Sequence, residues 1–210
     1  MKRDLSHIRS DYTRKKLLAN QLDVDPINQI KAWLSEAIGK RELEPTAMTL
    51  STVSGSGMPS SRMVLLKNID TNGGLWFFTN YNSKKGSDLK ENNNAAVNFF
   101  WPGLERQIRV TGVVEKISEV ESEAYFNSRP FDSQVSAIAS PQSRVVESRE
   151  QLEHWFKEAK AQEIKRPVNW GGYALLPAEI EFWQGRPGRL HDRIRYRLIK
   201  DEWVRERLAP

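Results

Sequence analysis

The chain has 210 residues, 39% of them hydrophobic and 28% charged, which is typical of a globular protein with one well-packed domain. It contains no cysteine, and this excludes disulfides, thiolate metal ligands and a cysteine nucleophile. Its three histidines are scattered along the sequence, so no metal site is predicted. No apolar run reaches the roughly 20 residues of a membrane span, and no signal-peptide core follows the N-terminus. We therefore expect a cytoplasmic protein.

The net charge of +5 is modest, but the basic residues are clustered. Lysines and arginines are concentrated in residues 1–20 and again in residues 186–197. Two local clusters fit the binding of phosphate or carboxylate groups. A nucleic-acid interface is the alternative, although it would require a broader continuous stripe.

The predicted elements begin with a polar arm over residues 1–20, followed by a single domain over residues 21–210. Asp25 and Pro26 open a helix, as a capping carboxylate and a first-turn proline do, and apolar residues at helical spacing extend it to about residue 41. Further helices are predicted over 84–91, 119–127 and 133–139 and from Ser148. Strands are predicted over 47–54, 61–69, 75–80, 95–101, 106–117, 172–176, 180–184, 194–199 and 202–207. This β-rich α+β pattern favours a barrel or a sandwich surrounded by helices.

Two segments in the first half of the chain could bind anions. Arg62 and Lys67 lie at the two ends of one predicted strand, and their side chains point to opposite faces. The alternative is an edge strand with solvated charges. Lys84 and Lys85 follow Ser83 at a predicted helix N-terminus, where cations oppose the helix dipole. Their position there predicts a bound anion.

A third segment places Tyr125, Arg129 and Ser133 at spacings of four. Two hydroxyls and a guanidinium could converge on a phosphate at the junction of two helices. Pro130 interrupts the helical spacing, and a capped helix–helix turn without a ligand is the alternative.

A fourth segment, Glu181 to Arg193, combines an aromatic ring, a turn and two arginines that flank a histidine. Arginine binds planar anions, histidine transfers protons near neutral pH, and tryptophan offers a flat face to a ring. The segment could bind a flat anionic ligand. It could equally be two strands joined by a turn, with a salt-bridged face towards solvent.

Taken together, these segments resemble the pyridoxamine 5′-phosphate oxidase family, flavin enzymes of vitamin B6 metabolism. The resemblance covers the chain from about His7 to its last residue. The matching stretches are Glu44–Met48, Arg62–Lys67, Asn80–Lys85, Leu104–Gln107, Tyr125–Gln134, Gln142–Ser143, Ile180–Gly185, Arg189–Arg193 and Arg207–Pro210. It implies an FMN-binding split β-barrel surrounded by helices, which works as a homodimer with FMN at the subunit interface.

The resemblance also implies roles for individual residues. The FMN phosphate would be held by Arg62, Lys84 and Lys85. The rest of the cofactor would contact Met63, Val64, Leu65, Leu66, Lys67, Phe78, Thr79, Gln107, Gln142, Ser143, Trp183 and Arg193. The substrate phosphate would meet Lys67, Tyr125, Arg129 and Ser133. Arg189 and His191 would position the substrate ring, Arg193 would stabilise charge on the reduced flavin, and Arg9 and Tyr12 of the arm would close over the substrate.

The reaction implied by the resemblance oxidises pyridoxamine or pyridoxine 5′-phosphate to pyridoxal 5′-phosphate. A hydride passes from C4′ to flavin N5, and O2 reoxidises the flavin to give H2O2. A related split-barrel flavin reductase or FMN carrier is the alternative function. The sequence departs from the family pattern at Lys84, Phe78 and Glu44, where arginine, tyrosine and aspartate are familiar.

Overall fold

The computed structural model describes residues 4–5, 7, 11–13 and 16–210. Five α-helices and nine strands lie within them. The helices are α1 (Pro26–Gly39), α2 (Lys84–Glu91), α3 (Glu119–Ser128), α4 (Phe131–Ala139) and α5 (Arg149–Lys160). The strands are β1 (Ala47–Val53), β2 (Pro59–Leu65), β3 (Asn68–Ile69), β4 (Leu75–Asn80), β5 (Asn94–Trp101), β6 (Arg106–Lys116), β7 (Trp170–Gln184), β8 (Asp192–Ile199) and β9 (Glu202–Leu208).

The strands form one antiparallel sheet. Their order is β2-β1-β5-β6-β7-β4-β3, and β8 pairs with β7 while β9 pairs with β8. The register of β1 with β2 places Leu50 opposite Arg62. Phe78 of β4 lies opposite Gly172 of β7, and Trp183 of β7 lies opposite Arg193 of β8. These three registers position residues that the sequence analysis singled out.

The chain divides into two compact units, and β5, β6 and β7 have residues in both. The first unit comprises residues 1–46, 98–110 and 178–210. Its buried core includes Ile30, Trp33, Phe182, Ile194 and Tyr196. The second unit comprises residues 47–97 and 111–177. Its buried core includes Met48, Leu50, Leu75, Phe77 and Phe126.

Four of the five helices begin where the sequence predicts them, because their capping side chains act locally. The fourth helix, α4, begins at Phe131, two residues before the predicted start, and its N-cap Pro130 makes no side-chain hydrogen bond. Asp25 accepts a hydrogen bond from the backbone N–H of Ile27 at 2.8 Å, and Pro26 occupies the first helical position. Ser83, Ser118 and Ser148 cap the starts of α2, α3 and α5 in the same way. Each cap satisfies an N–H group that the helix itself leaves without a partner.

Two strand predictions are wrong. The predicted strand 61–69 is two strands, because Leu66 turns inward and is buried, and the next N–H, that of Lys67, bonds to the Trp76 carbonyl of β4. The two strands predicted over 172–176 and 180–184 are a single strand, β7, which continues through Pro177. Pairing of β7 with β4 ends at Leu175, and pairing with β8 starts at Glu179. A proline, which has no N–H, is tolerated between those two ladders.

Candidate active site

A cavity of about 440 Å³ in the second unit collects most of the predicted ligand-binding residues. Four cations line it, and among the described residues no carboxylate does. Its lining consists of Arg62, Met63, Val64, Leu65, Lys67, Phe78, Thr79, Lys85, Tyr125, Arg129, Pro130, Ser133, Gln142 and Trp170. Unbalanced positive charge around a cavity favours an anionic occupant.

Arg62 is half-buried on the edge strand β2, and neutral groups hold its guanidinium. Nη1 donates to the Leu50 carbonyl at 3.2 Å and to Thr52 Oγ1 at 2.8 Å, and Nη2 donates to Ser60 Oγ at 2.6 Å. The nearest carboxylate oxygen, on Asp88, is 3.9 Å away. Burial lowers the pKa of Arg62, and the charge of Asp88 offsets this only in part. The positive charge is therefore fixed in place but incompletely neutralised.

Lys85 lies in the first turn of α2 and is buried. Its Nζ donates to Gln142 Oε1 at 2.7 Å, to Thr79 Oγ1 at 3.0 Å and to Ser83 Oγ at 3.3 Å, all of them neutral acceptors. Burial, and then the charge of Arg62, lower the pKa of Lys85 to about 8. An anion between Arg62 and Lys85 would remove the penalty that each of these cations carries.

Lys84 differs from its neighbour. Its side chain is exposed and forms an ion pair with Asp88 one turn along α2. Asp88 is buried and also accepts hydrogen bonds from Thr52 Oγ1 at 2.7 Å and Ser60 Oγ at 3.0 Å. Burial alone would raise the pKa of Asp88, but the hydrogen bonds from Lys84, Thr52 and Ser60 outweigh it and lower the pKa. Asp88 therefore sits as an anion beside the cations predicted to hold a phosphate.

Tyr125, Arg129 and Ser133 all line the same cavity, although Pro130 breaks the helical spacing. Arg129 caps the end of α3 in an extended conformation. Its Nη1 is buried and has no hydrogen-bond partner among the described residues. Burial lowers the pKa of Arg129, with the charge of Tyr125 acting in the opposite direction. A buried guanidinium nitrogen without an acceptor destabilises the folded protein unless a ligand supplies an acceptor.

Three aromatic rings stack beside Arg129. The rings of Phe78 and Tyr125 lie 3.8 Å apart at 23°, and those of Tyr125 and Trp170 lie 6.2 Å apart at 6°. The guanidinium carbon of Arg129 lies 4.7 Å from the centre of the Trp170 ring. Gly172 makes room for this stack, since a Cβ there would come within 2.8 Å of the Phe78 ring. The stack fixes Arg129 without neutralising it.

Leu66 and Ser143, also predicted to contact the cofactor, do not line this cavity. Leu66 is buried, and Ser143 is exposed with a φ of 70°. Gln142 accepts hydrogen bonds from Lys85 and from Thr79 at 3.0 Å.

In the first unit, the predicted substrate residues His191 and Tyr12 meet at Trp183. The Tyr12 ring packs edge-on at 5.5 Å from Trp183 and 5.6 Å from His191, and the Trp183 and His191 rings are 4.7 Å apart. A Cβ on Gly185 would approach the Tyr12 ring to 2.6 Å, so only glycine leaves room for it. Thr13, the next residue of the arm, donates its N–H to the Glu105 carboxylate at 3.0 Å. Tyr12 therefore lies against the His191 ring, and Thr13 attaches this part of the chain to Glu105.

His191 is held as a neutral imidazole. Its Nδ1 accepts a hydrogen bond from the Arg186 backbone N–H at 3.1 Å, so the proton of the neutral ring lies on Nε2. Burial, and then the charge of Arg189, lower the pKa of His191. Arg189 itself is exposed in a 3₁₀ turn with a φ of 62°. The predicted contact residue Gln107 lies half-buried on β6, and Arg9 lies outside the described residues.

Arg193 lies in a two-pronged ion pair with Glu181 of the neighbouring strand. Nε donates to Oε1 at 2.8 Å, Nη2 donates to Oε2 at 3.0 Å, and Nη1 donates to the Ala209 carbonyl at 2.8 Å. The hydrogen bonds to Glu181 outweigh burial and raise the pKa of Arg193. Further along β8, Arg195 and Arg197 both bind Glu206 of β9. Salt bridges therefore link β7, β8 and β9, as the alternative interpretation expects, but Glu181 is buried and does not lie on a face towards solvent.

Sequence analysis gave no role to Asp88, Glu181 or Trp170. Asp88 had a readable signal, since it lies four residues after Lys84 on a predicted helix. Glu181 and Trp183 are two residues apart on a predicted strand, so their side chains lie on the same face. Nothing local marks Trp170, because its stacking partners come from β4 and α3.

Known proteins are similar to this chain over most of its length. A family model described as pyridoxamine 5′-phosphate oxidase matches residues 34–163. The chain belongs to the pyridoxamine 5′-phosphate oxidase family. A second model, described as the C-terminal dimerisation region of pyridoxine 5′-phosphate oxidase, matches residues 170–210. Membership of the family confirms the predicted split β-barrel with surrounding helices.

Relatives of this family match along the whole chain. The pyridoxine/pyridoxamine 5′-phosphate oxidase of Mannheimia succiniciproducens is 52% identical over 99% of both chains, and that of Nostoc punctiforme is 49% identical over 100% of both. Among solved structures, PhzG from Burkholderia lata 383, in complex with tetrahydrophenazine-1-carboxylic acid, is 32% identical with a TM-score of 0.87, and the match covers 92% of this chain and 98% of that one.

A Nostoc punctiforme protein described as pyridoxamine 5′-phosphate oxidase-related and FMN-binding shares the fold. Its TM-score is 0.76 at 18% identity, and the match covers 90% of this chain and 100% of that one. Within the part of the chain that the structure describes, no helix is long and apolar enough to span a membrane. The expected cytoplasmic location stays a prediction.

Proposed function

We propose that this chain is an FMN-dependent oxidase that converts pyridoxamine or pyridoxine 5′-phosphate to pyridoxal 5′-phosphate. The cavity with four cations and no carboxylate carries the proposal. Its full-length relatives at about half identity are named for this activity. Two bound phosphates would each bring a charge of about −1.5 to −2, which matches the four cations of the cavity.

The cations fall into two groups, as an enzyme with a phosphorylated cofactor and a phosphorylated substrate requires. Lys85 and Arg62 influence each other's charge, and we assign the FMN phosphate to them. Arg129, with its unsatisfied Nη1, stands with Tyr125 and Ser133, and we assign the substrate phosphate to these three together with Lys67. A simple FMN carrier would need only the first group, so Arg129 favours the oxidase over that alternative.

The residues present fit FMN by their donor chemistry. Arg62 and Lys85 offer charged donors, Gln142 and Thr79 offer polar contacts, and the β2 residues Met63, Val64 and Leu65 supply an apolar wall. Lys84 is engaged with Asp88, so its part in phosphate binding requires that ion pair to be shared. FMN, when bound, supplies the hydride acceptor N5 and the reaction with O2 that yields H2O2.

The protein's own contribution is orientation and electrostatics. Arg129, Tyr125 and Ser133 anchor the substrate through its phosphate, so that remote binding energy aligns C4′ for hydride loss. Arg193 offers N–H donors where negative charge develops. His191 and Arg189 hold the substrate ring, while Tyr12 covers His191 and excludes water. With the amine substrate, hydrolysis of the oxidised product releases ammonia.

The dimer is part of the proposal. Residues 170–210 match a dimerisation region, and we infer a homodimer with FMN at its subunit interface. The role of Arg9 in closing over the substrate is inferred from the family pattern, since that residue lies outside the described residues.

The deciding experiment is the visible spectrum of the FMN-reconstituted protein, recorded anaerobically before and after adding pyridoxine 5′-phosphate. We expect the flavin band to bleach, then to recover on admission of air with formation of pyridoxal 5′-phosphate. A protein that binds FMN but stays yellow with both the alcohol and the amine substrate would instead be a flavin reductase or FMN carrier. Failure to bind FMN would contradict both.

A further inference from the structure

The pair formed by Glu181 and Arg193 has a geometry that leaves part of Arg193 available. Arginine has five N–H donors in a rigid plane. Three are engaged, two by Glu181 and one by the Ala209 carbonyl. Among the described residues, one donor on each of Nη1 and Nη2 has no partner. Three hydrogen bonds hold the flexible side chain in one orientation while these two donors stay available.

Burial distinguishes this pair from the other ion pairs on the same strands. The Glu181 side chain is only 6% exposed, whereas that of Glu206 is 35% exposed. Both carboxylates bind two arginines, since Arg109 also reaches Glu181, at 3.3 Å. A buried carboxylate carries a desolvation cost that a surface ladder avoids. Strand pairing alone does not require this cost, because Glu206 joins β8 to β9 from the surface.

The cluster of Glu181, Arg193 and Arg109 also has an unequal number of positive and negative charges. Glu181 contributes one negative charge against the two positive charges of Arg193 and Arg109. The cluster therefore keeps a net positive charge while its carboxylate fixes the arginine plane. Fixed donors that need no reorganisation are the most effective means of stabilising charge that appears during a reaction.

We propose that Glu181 is a positioning residue that fixes the Arg193 guanidinium so that its two remaining donors face the negative charge arriving on the reduced flavin. This inference rests on the proposed function, which assigns Arg193 to the flavin. Glu181 acts through Arg193 and touches neither cofactor nor substrate. The Ala209 carbonyl assists by holding the third corner of the guanidinium.

The test is a double-mutant cycle with Glu181→Gln and Arg193→Leu. Glutamine keeps the shape of Glu181 but presents an amide NH₂ to an arginine donor, so the two-pronged pair is lost. We expect E181Q to slow flavin reduction at saturating substrate by about tenfold or more, with KM nearly unchanged. In the R193L background E181Q should add less than about twofold, because the two residues act as one unit.

A second readout does not depend on turnover. The midpoint potential of bound FMN should shift to a more negative value in E181D, which keeps the carboxylate charge but draws it back from the guanidinium, because displaced donors stabilise the reduced flavin less well. The matched control is Glu206→Gln, which removes a carboxylate from two arginines of the same strand. It should leave both the potential and the reduction rate at wild-type values.

The proposal is overturned if E181Q reduces flavin at the wild-type rate and E181D leaves the potential unchanged. It is also overturned if the full effect of E181Q persists in the R193L background, which would indicate a general structural role. Should E181Q fail to fold, Glu181→Asp carries the same test, with intermediate slowing expected and a wild-type rate overturning the proposal. Wild-type protein that binds FMN but forms no pyridoxal 5′-phosphate would refute the proposed function, whereas the potential shift would still be measurable.

Discussion

The second unit surrounds one cavity with cations, whereas the first unit pairs its arginines with carboxylates on neighbouring strands. Around the cavity, burial lowers the pKa values of Arg62, Lys85 and Arg129. On β8, hydrogen bonds to carboxylates raise the pKa values of Arg193 and Arg197. The same type of side chain is thus destabilised as a cation around the cavity and stabilised as a cation on β8.

This difference in pKa distinguishes cations suited to binding an anion from arginines that support the structure. A cation that is desolvated without a counter-ion gains most from an arriving anion, whereas a paired arginine has already used its charge. Arg195 and Arg197 fit the second description, since both bind Glu206. Arg193 belongs to both classes, because it is paired and yet keeps two donors that have no partner among the described residues. Substitutions in the two units should therefore have different consequences.

The largest effect is expected for Arg193→Leu. Flavin reduction at saturating substrate should fall about a hundredfold, as when one donor to a developing anion is lost, while KM changes little. Stopped-flow absorbance under anaerobic conditions measures both. Arg197→Leu, on the same face of β8, is the control and should remain near wild type. An unchanged reduction rate in R193L would refute the charge-stabilising role and place Arg193 with the structural arginines.

Next in size is Arg129→Ala. Loss of a charged contact to the substrate phosphate should raise KM roughly thirtyfold for both phosphorylated substrates. The urea unfolding midpoint should not fall, because the substitution removes a buried nitrogen that has no acceptor among the described residues. Arg149→Ala, an exposed arginine of α5 paired with Glu153, is the matched control for KM. A wild-type KM in R129A would show that the phosphate assignment is wrong.

A smaller effect concerns pH and Lys85. Because the pKa of Lys85 is lowered to about 8, the free protein loses this charge as pH rises through that value. A phosphate favours the charged form, so FMN affinity should be highest below pH 8 and weaken by up to about tenfold towards pH 9. Fluorescence titration of FMN at several pH values measures this. Lys85→Arg should flatten the dependence; a slope that persists in the variant would mean that another group is titrating.

The smallest effect lies in the surface ladder. Hydrogen bonds from Arg197 and Arg195 lower the pKa of Glu206 to about 2, from a usual 4.5. Its stabilising contribution is therefore complete above pH 4.5 and is lost as pH falls towards 2. Glu206→Gln should make the urea midpoint less dependent on pH in that range, by a small amount because solvent screens the pair. Identical pH profiles for E206Q and wild type would show that the ladder contributes nothing.

Local chemistry made much of the fold predictable. A capping side chain and its N–H partner lie two or three residues apart, so Asp25, Ser83 and Ser148 indicated the starts of three helices. Strand boundaries were harder, because they depend on the partner strand. Pro177 looked like the end of a strand, yet β7 passes through it where one neighbour replaces another.

The sequence predicted many residues of the candidate site, but not the ion pairs, ring contacts and burial of those residues. Arg62, Lys85 and Arg129 were named from sequence, and all three line one cavity. The sequence did not predict the ion pair between Lys84 and Asp88, the ring stack beside Arg129 or the burial of Glu181. The ligand roles of all these residues stay predictions.

By itself, the sequence determined where most of the helices begin and to which family the chain belongs. These properties depend on residue identity and short spacings, which a linear pattern preserves. Only the tertiary structure decided which cations are neutralised and which are not. Burial and counter-ions come from segments distant in the chain, as when Arg109 binds Glu181, 72 residues further along, and these two factors set the charge that each arginine can offer to a ligand.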